Sequence, residues 1–373
     1  MSNITIPAEI LPADGRFGCG PSKIRPEAVE ALGDVARDYL GTSHRQATVQ
    51  FEVGALRNAV SELLSLPDGY EVLLGNGGST AFWDIATFGL IEQRSQHVTF
   101  GEFSSKFAEA SAAAPHLGEP EIVNAPVGTS GRPVASAGID AYALTHNETS
   151  TGVMMPLERP AGADDDALVL VDATSGAGGL RFDAAETDVY YFAPQKCLAS
   201  DGGLWIAACS PRAIERIERI SASGRWIPAF FDLKIALDNS RKDQTYNTPA
   251  LATVFLANQQ LRWILDNGGL EFSAGRSDRS SGTLYDWAEA SPVATPFVAD
   301  PADRSRVVVT IDFDDSIDAA AIAKVLRANG VLDVEPYRKL GRNQLRVACF
   351  PAIDPSDIEA LVASIDYVLG QLA

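Results

Sequence analysis

Between about residues 70 and 210 the chain alternates short apolar runs with helical patterns, and this alternation narrows the possible folds more than any other feature. The runs fall at 70–74, 97–100, 121–123, 143–146, 167–171, 189–192 and 204–208. Several are unbroken apolar stretches, as expected of strands buried on both faces. Amphipathic segments at 80–92 and 103–114 lie between some of them. The order predicts an α/β fold with a doubly wound, mostly parallel seven-stranded sheet flanked by helices. Ligands of such sheets bind at the carboxyl ends of the strands.

Downstream, Thr248-Pro249 predicts a helix start, with threonine as the cap and proline in the first turn. That helix would run through Leu251, Val254, Leu261 and Ile264 and break at Asn267-Gly268-Gly269. The break marks the expected boundary between a large domain, 15–268, and a smaller C-terminal α+β domain, 269–373. Residues 1–14 are expected as an extended arm. In the small domain the pattern predicts helices at 280–288, 319–329 and 355–369, with strands at 306–313 and 344–349.

The 373 residues carry a formal net charge of −19, which argues against nucleic acid or an anionic membrane as a partner. Cys19, Cys197, Cys209 and Cys349 are scattered and form no C-x-x-C pair, so neither structural zinc nor a disulfide framework is expected. The four histidines lack metal-ligand spacing, so no metal is expected. The first residues lack the basic and apolar regions of a signal peptide, and no run is long enough to cross a bilayer. A cytoplasmic enzyme is expected.

Two strand ends carry complementary chemistry. The run at 167–171 ends on Asp172, and the run at 189–192 leads through Ala193-Pro194-Gln195 to Lys196. Pyridoxal 5′-phosphate (PLP) chemistry needs this pair: an amine that forms a Schiff base with the cofactor aldehyde, and a carboxylate that keeps the pyridine nitrogen protonated. A lone lysine is far more often a solvated surface group, so the reading depends on its surroundings. Gly75-Asn76-Gly77-Gly78-Ser79-Thr80 follows a strand and opens a helix, a geometry suited to phosphate, and an ordinary Gly-rich turn is the simpler alternative. It lacks the lysine of a nucleotide P-loop. Phe103 could stack on the pyridine ring or be a core residue. Thr149 and Thr174 could reach the cofactor or cap turns.

Cations are few enough to be informative. Ser43-His44-Arg45 forms one basic point, and Arg338, Lys339, Arg342 and Arg346 form another with no acid between Glu335 and Asp354. Arg346 lies in an apolar strand, where an unpaired charge is costly and a bidentate substrate carboxylate would satisfy it.

Taken in order, Phe17-Gly18-Cys19-Gly20-Pro21-Ser22-Lys23, Ser43-His44-Arg45, Gly75 to Thr80, His146-Asn147-Glu148-Thr149-Ser150-Thr151-Gly152, Val171-Asp172-Ala173-Thr174-Ser175, Ala193-Pro194-Gln195-Lys196 and Tyr246-Asn247-Thr248-Pro249 resemble the phosphoserine aminotransferases. These are class V aminotransferases on the type I PLP-dependent fold, and the likeness is greatest to their actinobacterial branch. The resemblance implies that Lys196 carries the cofactor and Asp172 meets its ring nitrogen. It gives Ser79, Thr80, Thr174 and Gln195 to the phosphate, Phe103 to the ring face and Thr149 to the phenolic oxygen. Asn247 and Thr248 would reach the cofactor of a partner subunit, implying a homodimer with shared sites. His44, Arg45 and Arg346 would hold the anionic groups of small-molecule substrates, with the phosphate falling to Arg338, Lys339 or Arg342. The implied reaction moves an amino group between glutamate and 3-phosphohydroxypyruvate, and some members also process a phosphorylated precursor of vitamin B6. The chain departs from the enterobacterial pattern at Thr80, an arginine there, at Phe103, a tryptophan there, and in the spacing of the 338–342 cations. A sister class V aminotransferase, a cysteine desulfurase and a non-enzymatic PLP-binding protein are the competing readings.

Overall fold

In the computed structural model, which describes residues 4–372, the apolar runs become the strands of one sheet. They are β1 (Glu71–Asn76), β2 (Ser95–Thr99), β3 (Glu121–Asn124), β4 (Ala141–Thr145), β5 (Leu168–Asp172), β6 (Val189–Phe192) and β7 (Leu204–Cys209). The spatial order is β1-β7-β6-β5-β4-β2-β3. Strand β7 runs antiparallel to both neighbours, and the other pairings are parallel. Every residue of β4, β5, β6 and β7 is buried, which explains their unbroken apolar character. Strand β2 is equally buried although it carries Ser95, Gln96 and His97. It can be, because Ser95 and His97 bond each other at 2.9 Å and Gln96 donates to Glu121 and to the Val134 carbonyl.

Helices cover both faces. On one, α1 (Pro26–Tyr39), α2 (Ala47–Leu63) and α7 (Leu251–Asp266) present Val53, Leu56, Val60, Val254 and Leu261 to the sheet. On the other, α3 (Ser79–Gly89), α4 (Glu102–Ala113), α5 (Pro211–Ala222) and α6 (Leu233–Ser240) contribute Phe82, Ile85, Phe107, Ile217 and Leu237. Each such side chain, fully buried, contributes about 1.5–3 kcal/mol. A third core gathers α8 (Gly269–Ala290), α9 (Ala319–Ala328) and α10 (Pro355–Leu372) on the antiparallel strands β8 (Ala294–Pro296), β9 (Val308–Phe313) and β10 (Gln344–Ala348). Ile6, Phe17 and Cys19 are buried in this third core, so the N-terminal segment packs on the C-terminal elements. Residues 1–3 of the expected arm and residue 373 of the expected small domain lie outside the described residues.

Two expectations are corrected. Thr248 does not cap α7, which starts at Leu251 with Ala250 flanking it. The Thr248 carbonyl instead accepts from Asn76 Nδ2 at 3.0 Å, and its hydroxyl lies 3.2 Å from His44 Nδ1. The helix expected at 280–288 is only the last part of the 22-residue α8. Ser273, Ser277, Ser280 and Ser281 are buried on its inner face, so its first half shows no apolar stripe. Helices α1 and α2 also lay outside the expected elements.

Candidate active site

The loop after β6 turns sharply to deliver Lys196. The Gln195 carbonyl accepts from Ser22 N at 2.7 Å, and the Lys196 carbonyl accepts from Ala199 N at 2.9 Å, so the loop is fixed on both sides. The Lys196 side chain is 8% exposed, and its Nζ donates to Thr149 Oγ1 at 3.2 Å. The amine sits 5.4 Å from the centre of the Phe103 ring. Burial lowers its pKa from the ordinary lysine value of 10.5; the Asp172 charge opposes this shift and the Arg346 charge adds to it.

Asp172 closes β5 with both carboxylate oxygens engaged. Oδ1 accepts from Thr174 N at 2.9 Å and lies 2.6 Å from the Thr174 hydroxyl. Oδ2 accepts from the Trp83 indole Nε1 at 3.0 Å. The Thr174 hydroxyl also lies 2.6 Å from Ser79 Oγ. Having one proton, Thr174 donates to the carboxylate and accepts from Ser79. A chain of bonds thus runs from Asp172 to the first residue of α3.

That helix start is built to receive an anion. Gly77 and Gly78 take φ values of 123° and 91°, which L side chains rarely adopt. Like α1, α2, α7 and α8, α3 begins without a side-chain cap, but here the uncapped turn of Gly77, Gly78, Ser79 and Thr80 lines a cavity, where its first N–H groups are open to an anion. The cavity there, about 190 Å³, is lined by Ser79, Thr80, Trp83, Phe103, Thr149, Asp172, Thr174, Gln195 and Lys196. The Gln195 side-chain oxygen is buried in it without a hydrogen-bond partner. An amine, a carboxylate, an aromatic face, an orphaned amide and an uncapped helix around one cavity fit a phosphorylated aromatic aldehyde.

The third wall rests on Glu148, which is fully buried. Its carboxylate accepts from Phe103 N at 3.0 Å, Ser104 N at 2.9 Å and the Ser150 hydroxyl at 2.6 Å. It thereby anchors the first turn of α4, which carries Phe103. A Cβ on Gly101 would fall 2.3 Å from Glu148 Cγ, so the approach requires glycine. Next door, Thr149 Oγ1 donates to Ser175 Oγ at 2.9 Å, and the Thr149 carbonyl accepts from Arg346 Nη1 at 3.0 Å.

Within the single chain the remaining expected residues stand apart from this cavity. Asn247 Oδ1 accepts from Asn76 Nδ2 at 2.7 Å, and with Thr248 and His44 it forms a separate polar group. Arg45 and Arg338 are exposed. Lys339 pairs with Glu102 beside a second cavity, about 530 Å³, that also meets Lys106 and Tyr337. Arg342 is paired with Asp312 and stacks 4.6 Å from the Phe297 ring. Arg346 lies 5.4 Å from the Tyr337 ring, and its Nε is buried without a partner. It faces a cleft lined by Gly18, Cys19 and Gly20. Among the described residues no group of three or more His, Cys, Asp or Glu could hold a metal, and no helix is long and apolar enough to cross a membrane.

Sequence reasoning missed Trp83, Glu148, Ser175 and Gly20 as parts of this architecture. Glu148 and Ser175 lie in turns, where carboxylates and hydroxyls are common, so their residue types alone do not single them out. Trp83 left no local signal, since only the packing of α3 on β6 and β7 brings its side chain to Asp172 at the end of β5.

The fold and the Lys196–Asp172 cavity together define a PLP-dependent transferase. The family model described as "Aminotransferase class-V" matches residues 17–333, and the chain belongs to that family. Within it, the phosphoserine aminotransferase of Nocardioides sp. is 62% identical over 370 residues, covering 99% of each chain. The phosphoserine aminotransferase of Rhodococcus jostii is 60% identical, covering 98% of each. The crystal structure of a phosphoserine aminotransferase from Cytophaga hutchinsonii superposes with a TM-score of 0.87 at 25% identity, covering 95% of this chain and 99% of that one. The protein is an enzyme, and its cofactor is pyridoxal 5′-phosphate.

Proposed function

We propose that the enzyme transfers an amino group from L-glutamate to 3-phosphohydroxypyruvate, giving O-phospho-L-serine and 2-oxoglutarate. The observation that carries this reading is the convergence of Lys196 and Asp172 on one cavity opened by the uncapped start of α3. The near-full-length likeness to proteins named phosphoserine aminotransferase supports the choice of substrate.

Bound in this cavity, the cofactor supplies an electron sink for the substrate Cα and carries the amino group between the two half-reactions. Lys196 holds it covalently through Nζ. Once displaced by the substrate amine, Lys196 is a neutral base, because burial disfavours its charged form, and it moves the proton from Cα. Asp172 keeps the proton on the ring nitrogen. Ser79, Thr80, Thr174 and Gln195, with the first N–H groups of α3, hold the phosphate. Phe103 covers one ring face and Thr149 meets the phenolic oxygen. Arg346, with a buried and unpartnered Nε, takes the substrate carboxylate.

His44, Arg45, Asn247 and Thr248 serve the site of a second copy in a homodimer, which accounts for their distance from their own chain's cavity. Of the three cations offered for the substrate phosphate, Glu102 holds Lys339 and Asp312 holds Arg342, while Arg338 is exposed with no ion pair among the described residues, which favours Arg338. A division at 268/269 is supported by a third core drawn mostly from residues after it, with Ile6, Phe17, Cys19, Leu180 and Cys197 joining from before it. The enzyme would act in the cytoplasm in serine synthesis.

Stopped-flow measurement of each half-reaction tests the reading. Glutamate should convert the cofactor to its amino form, and 3-phosphohydroxypyruvate should reverse it far faster than pyruvate or glyoxylate. Equal rates for all three keto acids would favour a sister class V activity. Sedimentation tests the dimer: a stable, fully active monomer would refute the shared site.

A further inference from the structure

We infer that Trp83 is a positioning residue for the reaction, acting through Asp172. The inference rests on the proposed role of Asp172 as partner of the ring nitrogen.

A carboxylate offers about four acceptor directions. On Asp172, Thr174 takes two of them at Oδ1, through its N–H at 2.9 Å and its hydroxyl at 2.6 Å. The Trp83 indole takes one at Oδ2, at 3.0 Å. One direction on Oδ2 remains beside the indole, and the buried Tyr191 hydroxyl, which has no partner of its own, lies against the same carboxylate. With donors on both oxygens the carboxylate cannot rotate, so the site presents a preset acceptor. Trp83 is 6% exposed and itself lines the cavity, so its N–H bond is shielded from water. It is held by α3, whose first residue, Ser79, bonds Thr174. The helix that receives the phosphate therefore also orients the acid, and the two ends of the cofactor are read by one rigid element.

The electrostatic consequence has a definite sign. A donor to a carboxylate makes it less basic. Without the indole N–H, Oδ2 would be less satisfied by this chain and would draw the ring nitrogen's proton more strongly toward itself. Bound beside Asp172, the cofactor would then be a weaker electron sink, and Lys196 Nζ, where it carries the cofactor, would hold its proton more tightly. The titratable groups that feel the Asp172 charge are Lys196, Tyr190 and Tyr191. Both phenols are held well above their ordinary pKa of 10.0, chiefly by burial, and stay neutral.

The test uses the holoenzyme and Trp83→Phe, which keeps the ring and deletes the donor. The pH titration of the bound cofactor's visible band should move upward by about one unit, a tenfold change in proton affinity. Proton transfer in the glutamate half-reaction should slow by about tenfold, with little change in KM. Trp83→His, which restores a ring N–H, should return the titration toward the wild type and serves if the Phe variant does not retain cofactor. Asp172→Asn is the reference. If it shifts the band while Trp83→Phe titrates like the wild type, the inference falls and the Asp172 role stands. If Asp172→Asn leaves the band unmoved, the Asp172 role itself falls. Adding Trp83→Phe to Asp172→Asn should produce no further shift, and a full additive shift would overturn action through Asp172.

Discussion

Gly20 lies directly against Lys196: a Cβ built on Gly20 would stand 3.0 Å from Lys196 Cε, and Gly20 adopts φ of 147°. The N-terminal segment that packs on the C-terminal core therefore also forms the wall behind the reactive amine. Gly20→Ala should strain the backbone by about 1–3 kcal/mol and push the lysine aside. We expect turnover to fall by about tenfold or more, with slower attachment of cofactor to apo-enzyme. Wild-type attachment kinetics in the variant would show that the wall yields.

Lys196→Ala should abolish transamination while leaving the fold intact. Borohydride treatment should then fix no cofactor to the chain, which mass spectrometry reads directly. In the wild type the same amine should attach cofactor as a free base. Because its pKa is lowered, the attachment rate should hold steady as pH falls below 10.5 and decline only beneath the depressed value. A rate that drops about tenfold per pH unit from 10.5 downward would mark an ordinary solvated lysine.

Asp172→Asn removes the charge that holds the ring proton and leaves a single acceptor oxygen, which can keep the Thr174 bonds or the Trp83 bond but not both. Single-turnover proton transfer from glutamate should slow by about a hundredfold or more. An unchanged rate would remove Asp172 from the chemistry.

Glu148→Gln should loosen the start of α4. The buried carboxylate serves Phe103 N, Ser104 N and two hydroxyls, and charged acceptors are worth about 1.5–3 kcal/mol each. Thermal unfolding should show a lower Tm, and the bound cofactor's circular dichroism should weaken as Phe103 loses its fixed position. A variant with wild-type Tm and dichroism would contradict the anchoring role.

The two neighbouring arginines should separate cleanly. Arg346→Ala should lower kcat/KM by about ten- to a hundredfold in both half-reactions, since glutamate and the keto acid each present a carboxylate. Arg342→Ala should leave both nearly unchanged, because Asp312 already holds that guanidinium. Steady-state kinetics of the two variants decides; a selective loss for the phosphorylated substrate in Arg342→Ala would return Arg342 to the phosphate site.

The seven strands and the strand-end positions of Asp172 and Lys196 were legible in the sequence because they rest on local patterns. An apolar run buried on both faces, a Gly-rich turn and a polar residue at a strand end are each written within a few residues. Helix α8 was only half legible, because buried serines line its inner face where apolar side chains would have marked it. The start of α7 was misread at Thr248, because tertiary bonds to Asn76 and His44 engage the residue that local propensity offered as a cap.

What only the tertiary structure decided is which distant groups share a site. Trp83 meets Asp172 across 89 residues, Lys339 meets Glu102 across 237, and Arg342 is withdrawn to Asp312 across 30. Those partnerships depend on how α3 lies on β6 and β7 and how the C-terminal elements sit over α4. No periodicity or motif encodes such distances. By itself the sequence determined the seven strands and the strand-end places of Lys196 and Asp172; packing decided how those two side chains are oriented and shielded.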